Sequence, residues 1–195
     1  MGWLGRLIRL DFTVFEELRT DRSATPTALG VVFVSGFLGG VGTVIWAMQH
    51  DNFTGLDTTD VILKSLILGS IVQAAVWFAW VYITYMIVAR VYGSPVLFSE
   101  LTRTMGFAFA PVALTILVAI APLAIPFGLM AFGAALLFTT AAVEHAADVD
   151  QKQAMVATLA GFAVFLVFMG AFSNVMEEAT FGGIAPGILF FSLDL

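Results

Sequence analysis

Cysteine is absent from this chain of 195 residues. Disulfides, thiolate nucleophiles and cysteine-based metal sites are therefore excluded. Charge is scarce as well: 11% of residues are charged and 60% are hydrophobic, where a soluble domain carries about 25% charged residues. So little polar surface cannot cover a globule in water, and a single-domain integral membrane protein follows. Basic residues number 8 against 14 acidic ones, so the clustered positive charge that nucleic acid requires is missing. The opening MGWLGRLIRLDF has no small-residue cleavage site. That argues against a removed signal peptide and for a first span that inserts the chain. No HExxH, phosphate-binding glycine loop or Ser-His-Asp order is found.

Long uncharged runs are plentiful. Residues 26–48, 65–89, 105–143 and 154–174 form four such blocks. A span needs roughly 20 apolar residues, so the block 105–143 is too long for one crossing. Pro122 and Pro126 lie at its centre, and each removes a backbone donor. The reading is two short spans of 17 residues joined by a tight turn, five spans in all. Tyr92-Gly93-Ser94-Pro95 reads as a turn, followed by a short polar helix at 98–104. Ser23-Ala24-Thr25-Pro26 reads as a helix start with Thr25 as cap.

Orientation follows from the basic residues. Arg6, Arg9, Arg19, Arg22, Arg90, Arg103 and Lys152 share one side of a five-span chain, and only Lys64 lies on the other. The N-terminus is then cytoplasmic and the C-terminus outside.

Residues 3–19 read as one helix with an apolar face that includes Leu4, Ile8, Phe12 and Phe15. Such a helix lies in the membrane interface or packs on the bundle. Asp11 projects into that face, and pairs with Arg19 or Lys152 or meets a partner. The domain plan is an amphipathic helix and linker at 1–25, a five-span membrane domain at 26–175, and an apolar tail at 176–195. The tail, rich in glycine and carrying Phe181, Phe190 and Phe191, is too short to span. It docks on a neighbour, re-enters or lies in the outer interface.

Intramembrane chemistry is sparse. Gln73 is the most polar residue in mid-span and suits a hydrogen bond across helices. Gly36 and Gly40 have GxxxG spacing and mark a close helix contact, within the chain or between chains. Trp77 and Trp80 sit deep enough to pack on a neighbour. Glu144, His145 and Asp148 cluster at a helix end, where they suit either a metal ion or simply a wet polar terminus. His50 stands beside Asp51 on the opposite side. No catalytic, cofactor or metal site is assigned. The expected partners are membrane lipids, other integral membrane proteins or a second copy, with no nucleic acid.

The segment Phe15-Glu16-Glu17-Leu18-Arg19-Thr20-Asp21-Arg22-Ser23 leads into the first span. Gly93-Ser94-Pro95, then Phe98-Ser99-Glu100-Leu101-Thr102-Arg103, then Gly106-Phe107-Ala108-Phe109-Ala110-Pro111 lead into the third. This arrangement resembles the prokaryotic branch of the Yip (Ypt-interacting protein) family, over nearly the whole chain up to about Phe172. The resemblance implies an all-α, five-span membrane protein that is not an enzyme. It also implies a scaffold or adaptor role, since eukaryotic relatives shape membranes and recruit partners. The alternative is an auxiliary subunit of a larger respiratory or photosynthetic membrane complex. There Gly36, Trp77, Trp80 and the tail would be docking surfaces, with pigments or lipids filling the grooves. A small transporter would need a polar path, for which Gln73 and a few hydroxyls are the only candidates.

Overall fold

The computed structural model describes residues 2–49, 59 and 62–176. All regular structure among them is helical. Two short helices, α1 (Trp3–Ile8) and α2 (Val14–Thr20), precede a long one, α3 (Ala24–Met48). Then come α4 (Gly69–Met86), with π-helical turns at Leu63–Leu68 and Ile87–Val91, and α5 (Phe98–Ala108). The α5 helix tightens into a 3-10 stretch, Ala110–Ala119. The last two are α6 (Ala124–Ala147) and α7 (Gln151–Met176). Among the described residues, five segments are long and apolar enough to cross a membrane: Ala24–Trp46, Leu66–Val91, Phe98–Ala119, Ala124–Ala147 and Gln151–Phe172. The chain is thus an all-α, five-span membrane protein.

Local chemistry sets the helix ends, and it departs from expectation in four places. At α3, the Asp21 carboxylate accepts hydrogen bonds from the Ser23 backbone N–H (2.8 Å) and hydroxyl (2.6 Å), so Asp21 rather than Thr25 organises the start. Pro26 falls inside the first turn, where its missing N–H costs nothing. The third and fourth spans are also longer than the 17 residues expected, at 22 and 24. Pro126 stands in the first turn of α6 and does not end a helix. Residues 98–104 are no separate polar helix; they are the first turns of the third span, buried from Leu101 onward. Finally, residues 3–19 are two helices. The break falls at Leu10, whose φ is 60°.

Other ends follow simple rules. Glu100 Oε2 accepts the Leu97 N–H (2.9 Å) at the start of α5. Asp150 and Gln153 form a reciprocal capping pair at α7. Gly93 takes φ 72° in the turn before α5, a region open to glycine.

Two compact units make up the chain. Unit 1 comprises Met1–Val32, Trp77–Ala110 and Ala134–Phe165. Its centre holds Leu7, Val14, Phe15, Leu18, Ala24, Ala28, Phe107, Ala108 and Ala142. A second group of rings surrounds Trp80, with Phe109, Phe162 and Phe165 at centroid distances of 5.0 to 6.3 Å. Unit 2 comprises Phe33–Val76, Pro111–Gly133 and Leu166–Leu195. Its buried polar residues are Ser35, Thr43, Ser70, Gln73 and Thr115.

Candidate functional site

The densest polar arrangement in unit 1 holds the N-terminal helices in place. A helix leaves its last carbonyls without partners. At the end of α2 these carbonyls belong to Leu18 and Arg19, and Arg103 of α5 supplies the donors. Its Nε donates to Leu18 O at 3.0 Å and its Nη2 to Arg19 O. A guanidinium there also opposes the negative end of the helix dipole. Arg103 is only 5% exposed, so this charge is buried with two of its N–H groups on the α2 carbonyls. Arg19 Nε lies 3.7 Å from Glu100 Oε2, a second tie between α2 and α5.

Apolar contacts complete the seat. Val14, Phe15 and Leu18 are fully buried. Trp3 meets Phe107 edge-on at 5.6 Å, and Phe12 meets Phe138 at 5.2 Å. Phe15 faces the His145 ring at 6.4 Å. Tertiary packing, not intrinsic propensity, is what keeps helices this short folded.

Between α1 and α2 the chain turns through a clamp centred on Arg6. Its guanidinium donates to Asp11 Oδ2 (2.7 Å), Glu17 Oε1 (2.5 Å) and Thr13 Oγ1 (3.0 Å). Asp11 Oδ1 also accepts the Thr13 hydroxyl at 2.6 Å. The hydrogen bond from Arg6, then that from Thr13, holds the Asp11 carboxyl below its ordinary range. Asp11 and Glu17 in turn raise the Arg6 guanidinium above its own. Asp11 therefore pairs with Arg6, five residues back across the turn, and not with Arg19 or Lys152. Sequence spacing on a single helix hid this pair, because the break at Leu10 brings the two side chains together.

The residues singled out from sequence are distributed as follows. Phe15 lies in the centre of unit 1 and Phe12 is half-buried beside it, while Leu4 and Ile8 point outward from α1. Trp77 and Trp80 are enclosed within the chain; the Trp80 indole N–H donates to Thr158 O at 3.1 Å. In unit 2, Gly36 and Gln73 come together: a methyl placed on Gly36 would stand 3.1 Å from Gln73 Nε2. Gln73 is fully buried, and neither amide atom has a hydrogen-bond partner among the described residues. Gly40 is also buried. His145 Nδ1 donates to Ala141 O at 2.8 Å. Among the described residues no group of three or more His, Asp or Glu is placed to hold a metal ion. Phe181, Phe190, Phe191, His50 and Asp51 lie outside the described residues.

Arg103 was legible only as a basic loop residue. The cue to its role was its place five residues after the start of α5, inside an amphipathic stretch. That makes it a helix residue with one side against a neighbour.

Comparison with known proteins agrees with this architecture. The family model described as Yip1 domain matches residues 12–173. No curated protein and no solved structure matches the chain.

Proposed function

Because the chain belongs to the Yip1 domain family, we propose that it is a non-enzymatic integral membrane scaffold or adaptor. It works through helix–helix, lipid and partner-protein contacts. The observation that carries this reading is the docked N-terminal pair. The buried Arg103 and the Arg19–Glu100 tie seat α2 on a spanning helix, and Trp3 packs α1 on Phe107 of the same helix. Glu16, Thr20, Arg22 and Ser23 are left exposed on the far side. A fixed polar face of this kind suits a water-soluble partner at the membrane surface.

Seven of the eight basic residues fall in segments that share one side of a five-span chain, and Lys64 falls on the other. This asymmetry supports a cytoplasmic N-terminus and an outer C-terminus. The setting it suits is a prokaryotic inner membrane. The complex-subunit alternative takes Trp77, Trp80, Gly36 and the apolar tail as docking surfaces. Trp77, Trp80 and Gly36 are buried within the chain, which favours the adaptor reading, and the tail residues Phe181, Phe190 and Phe191 lie outside the described residues.

The test is cross-linking mass spectrometry from native membranes, comparing the natural chain with a Glu16→Arg, Arg22→Glu double variant. Both sites are exposed, so insertion and folding should persist. Loss of the cross-linked partners is expected. An unchanged partner set would count against the reading.

A further inference from the structure

The Arg6 clamp holds its turn in an unusual state. Leu10 adopts φ 60°, a left-handed conformation that is unfavourable for a non-glycine residue and persists only where its surroundings enforce it. Here the enforcement is visible in the five hydrogen bonds among Arg6, Asp11, Thr13 and Glu17. Their effect is to turn apolar side chains outward. Ile8 is 82% exposed and Leu10 63%, while Leu7 beside them is buried. Leu4, one turn before Ile8, is exposed on the same side of α1.

Depth identifies what covers this tip. Trp3, before it, packs on Phe107, and Phe12, after it, packs on Phe138. The last charged residue of α5 is Arg103, four residues before Phe107. The first charged residue beyond Phe138 on α6 is Glu144, six residues on. At about 1.5 Å per residue, Phe107 and Phe138, on which the two flanks of the tip pack, lie roughly 6–9 Å from those charges along their helices. That distance matches the depth, about 5–10 Å, at which an interfacial helix buries its apolar face at the headgroup–acyl boundary.

Charge points the same way. Asp11 and Glu17 engage Arg6, whereas Arg9, between the two outward apolar residues, is exposed and carries no acidic partner among the described residues. We propose that Ile8-Arg9-Leu10 is a lipid-binding wedge. Ile8 and Leu10 enter the acyl boundary of the adjacent leaflet, and Arg9 binds the phosphate of an anionic phospholipid headgroup. Arg6 is a positioning residue that keeps the wedge formed. The inference rests on the scaffold reading only for its membrane setting, and it needs no partner protein.

The absence of cysteine makes the test clean. Ile8→Cys, Leu10→Cys and, as control, Glu16→Cys are each labelled with an environment-sensitive fluorophore on the full chain. The purified protein is reconstituted in phosphatidylcholine vesicles, or in equal parts phosphatidylcholine and phosphatidylglycerol. Labels at 8 and 10 should be blue-shifted and quenched several-fold more by acyl-chain quenchers than the label at 16. The contrast should grow with phosphatidylglycerol. Arg9→Gln should remove that growth, and Arg6→Gln should reduce immersion at both sites. Water-like emission at 8 and 10 in both vesicle types would overturn the proposal. So would immersion that ignores both phosphatidylglycerol and Arg9→Gln, or labels shielded only once membrane-protein extract is added. Because no partner is present, the adaptor reading can fail its own cross-linking test while this one succeeds, and the reverse.

Discussion

Around Phe15 and Trp80, unit 1 fills its interior with large rings and ties its helix ends with arginine. Around Gly36 and Gly42, unit 2 brings helices together by leaving side chains out. A methyl on Gly42 would stand 2.6 Å from Thr115 O and 2.8 Å from Ile116 Cα. Lipid tails are as apolar as leucine, so helices in a bilayer gain little by hiding apolar groups from them. They associate through close packing and polar contacts. The two units show both routes. Unit 1 adds aromatic bulk and directed hydrogen bonds to close approach at Gly106 and Gly161, where an added methyl would stand 2.8 Å from Ala28 Cβ and closer still to Trp80 Cδ1, and unit 2 relies on backbone approach. The lesson is that added bulk at a close-approach glycine should harm either unit, whereas lost side chains should harm unit 1 more than unit 2.

The sharpest test of that contrast adds bulk at Gly42. The atoms in the way are backbone, which cannot swing aside as a side-chain tip can. Gly42→Leu should cost about 3 kcal/mol, the upper range for overpacking, read as a lowered thermal midpoint in mild detergent. Gly36→Ala, facing only the flexible Gln73 amide at 3.1 Å, should be close to neutral. Equal losses at the two glycines would break the distinction between backbone and side-chain approach.

A somewhat smaller effect is expected from removing the arginine tie. Arg103→Met keeps much of the apolar stem and deletes the donors to Leu18 and Arg19. Hydrogen bonds to a charged group contribute about 1.5–3 kcal/mol, so a loss of about 2 kcal/mol is expected. It should be local. Hydrogen exchange should rise over residues 3–20 while the glycine-packed segments of unit 2 keep their protection. A uniform rise through both units would show that the comparison divides one cooperative structure.

The spans themselves were plain in the sequence, because uncharged runs of this length admit few other readings. Their limits were not. Pro126 looked like a breaker, yet a proline in the first turn of α6 removes an N–H that had no partner to lose. Residues 98–104 looked like a separate short helix because they are polar. Their Thr102 and Thr104 hydroxyls bond back to Phe98 and Glu100 carbonyls, which lets them sit buried. The N-terminal face was half legible. Phe12 and Phe15 share the inner side, but Leu4 and Ile8 face away, and only the left-handed Leu10 explains the change. No periodicity argument reveals a single residue at positive φ.

Gln73 offers the finest discrimination, and its expected sign is opposite to the others. Its carboxamide is fully buried and both amide atoms lack partners among the described residues. An unsatisfied buried polar group carries a desolvation cost of about 1–3 kcal/mol, which nothing adjacent recovers. Gly36 contributes only a bare backbone surface to that side. Gln73→Met keeps the length and flexibility of the side chain and discards its polar atoms. If unit 2 is held by close approach alone, this variant should be more stable by about 1 kcal/mol in detergent unfolding. A loss of similar size would mean that the amide holds a bound water or another polar group, and that unit 2, like unit 1, uses directed hydrogen bonding. Repeating the measurement in the Gly36→Ala background tells whether the two positions act together. Non-additivity is expected, because the residues touch.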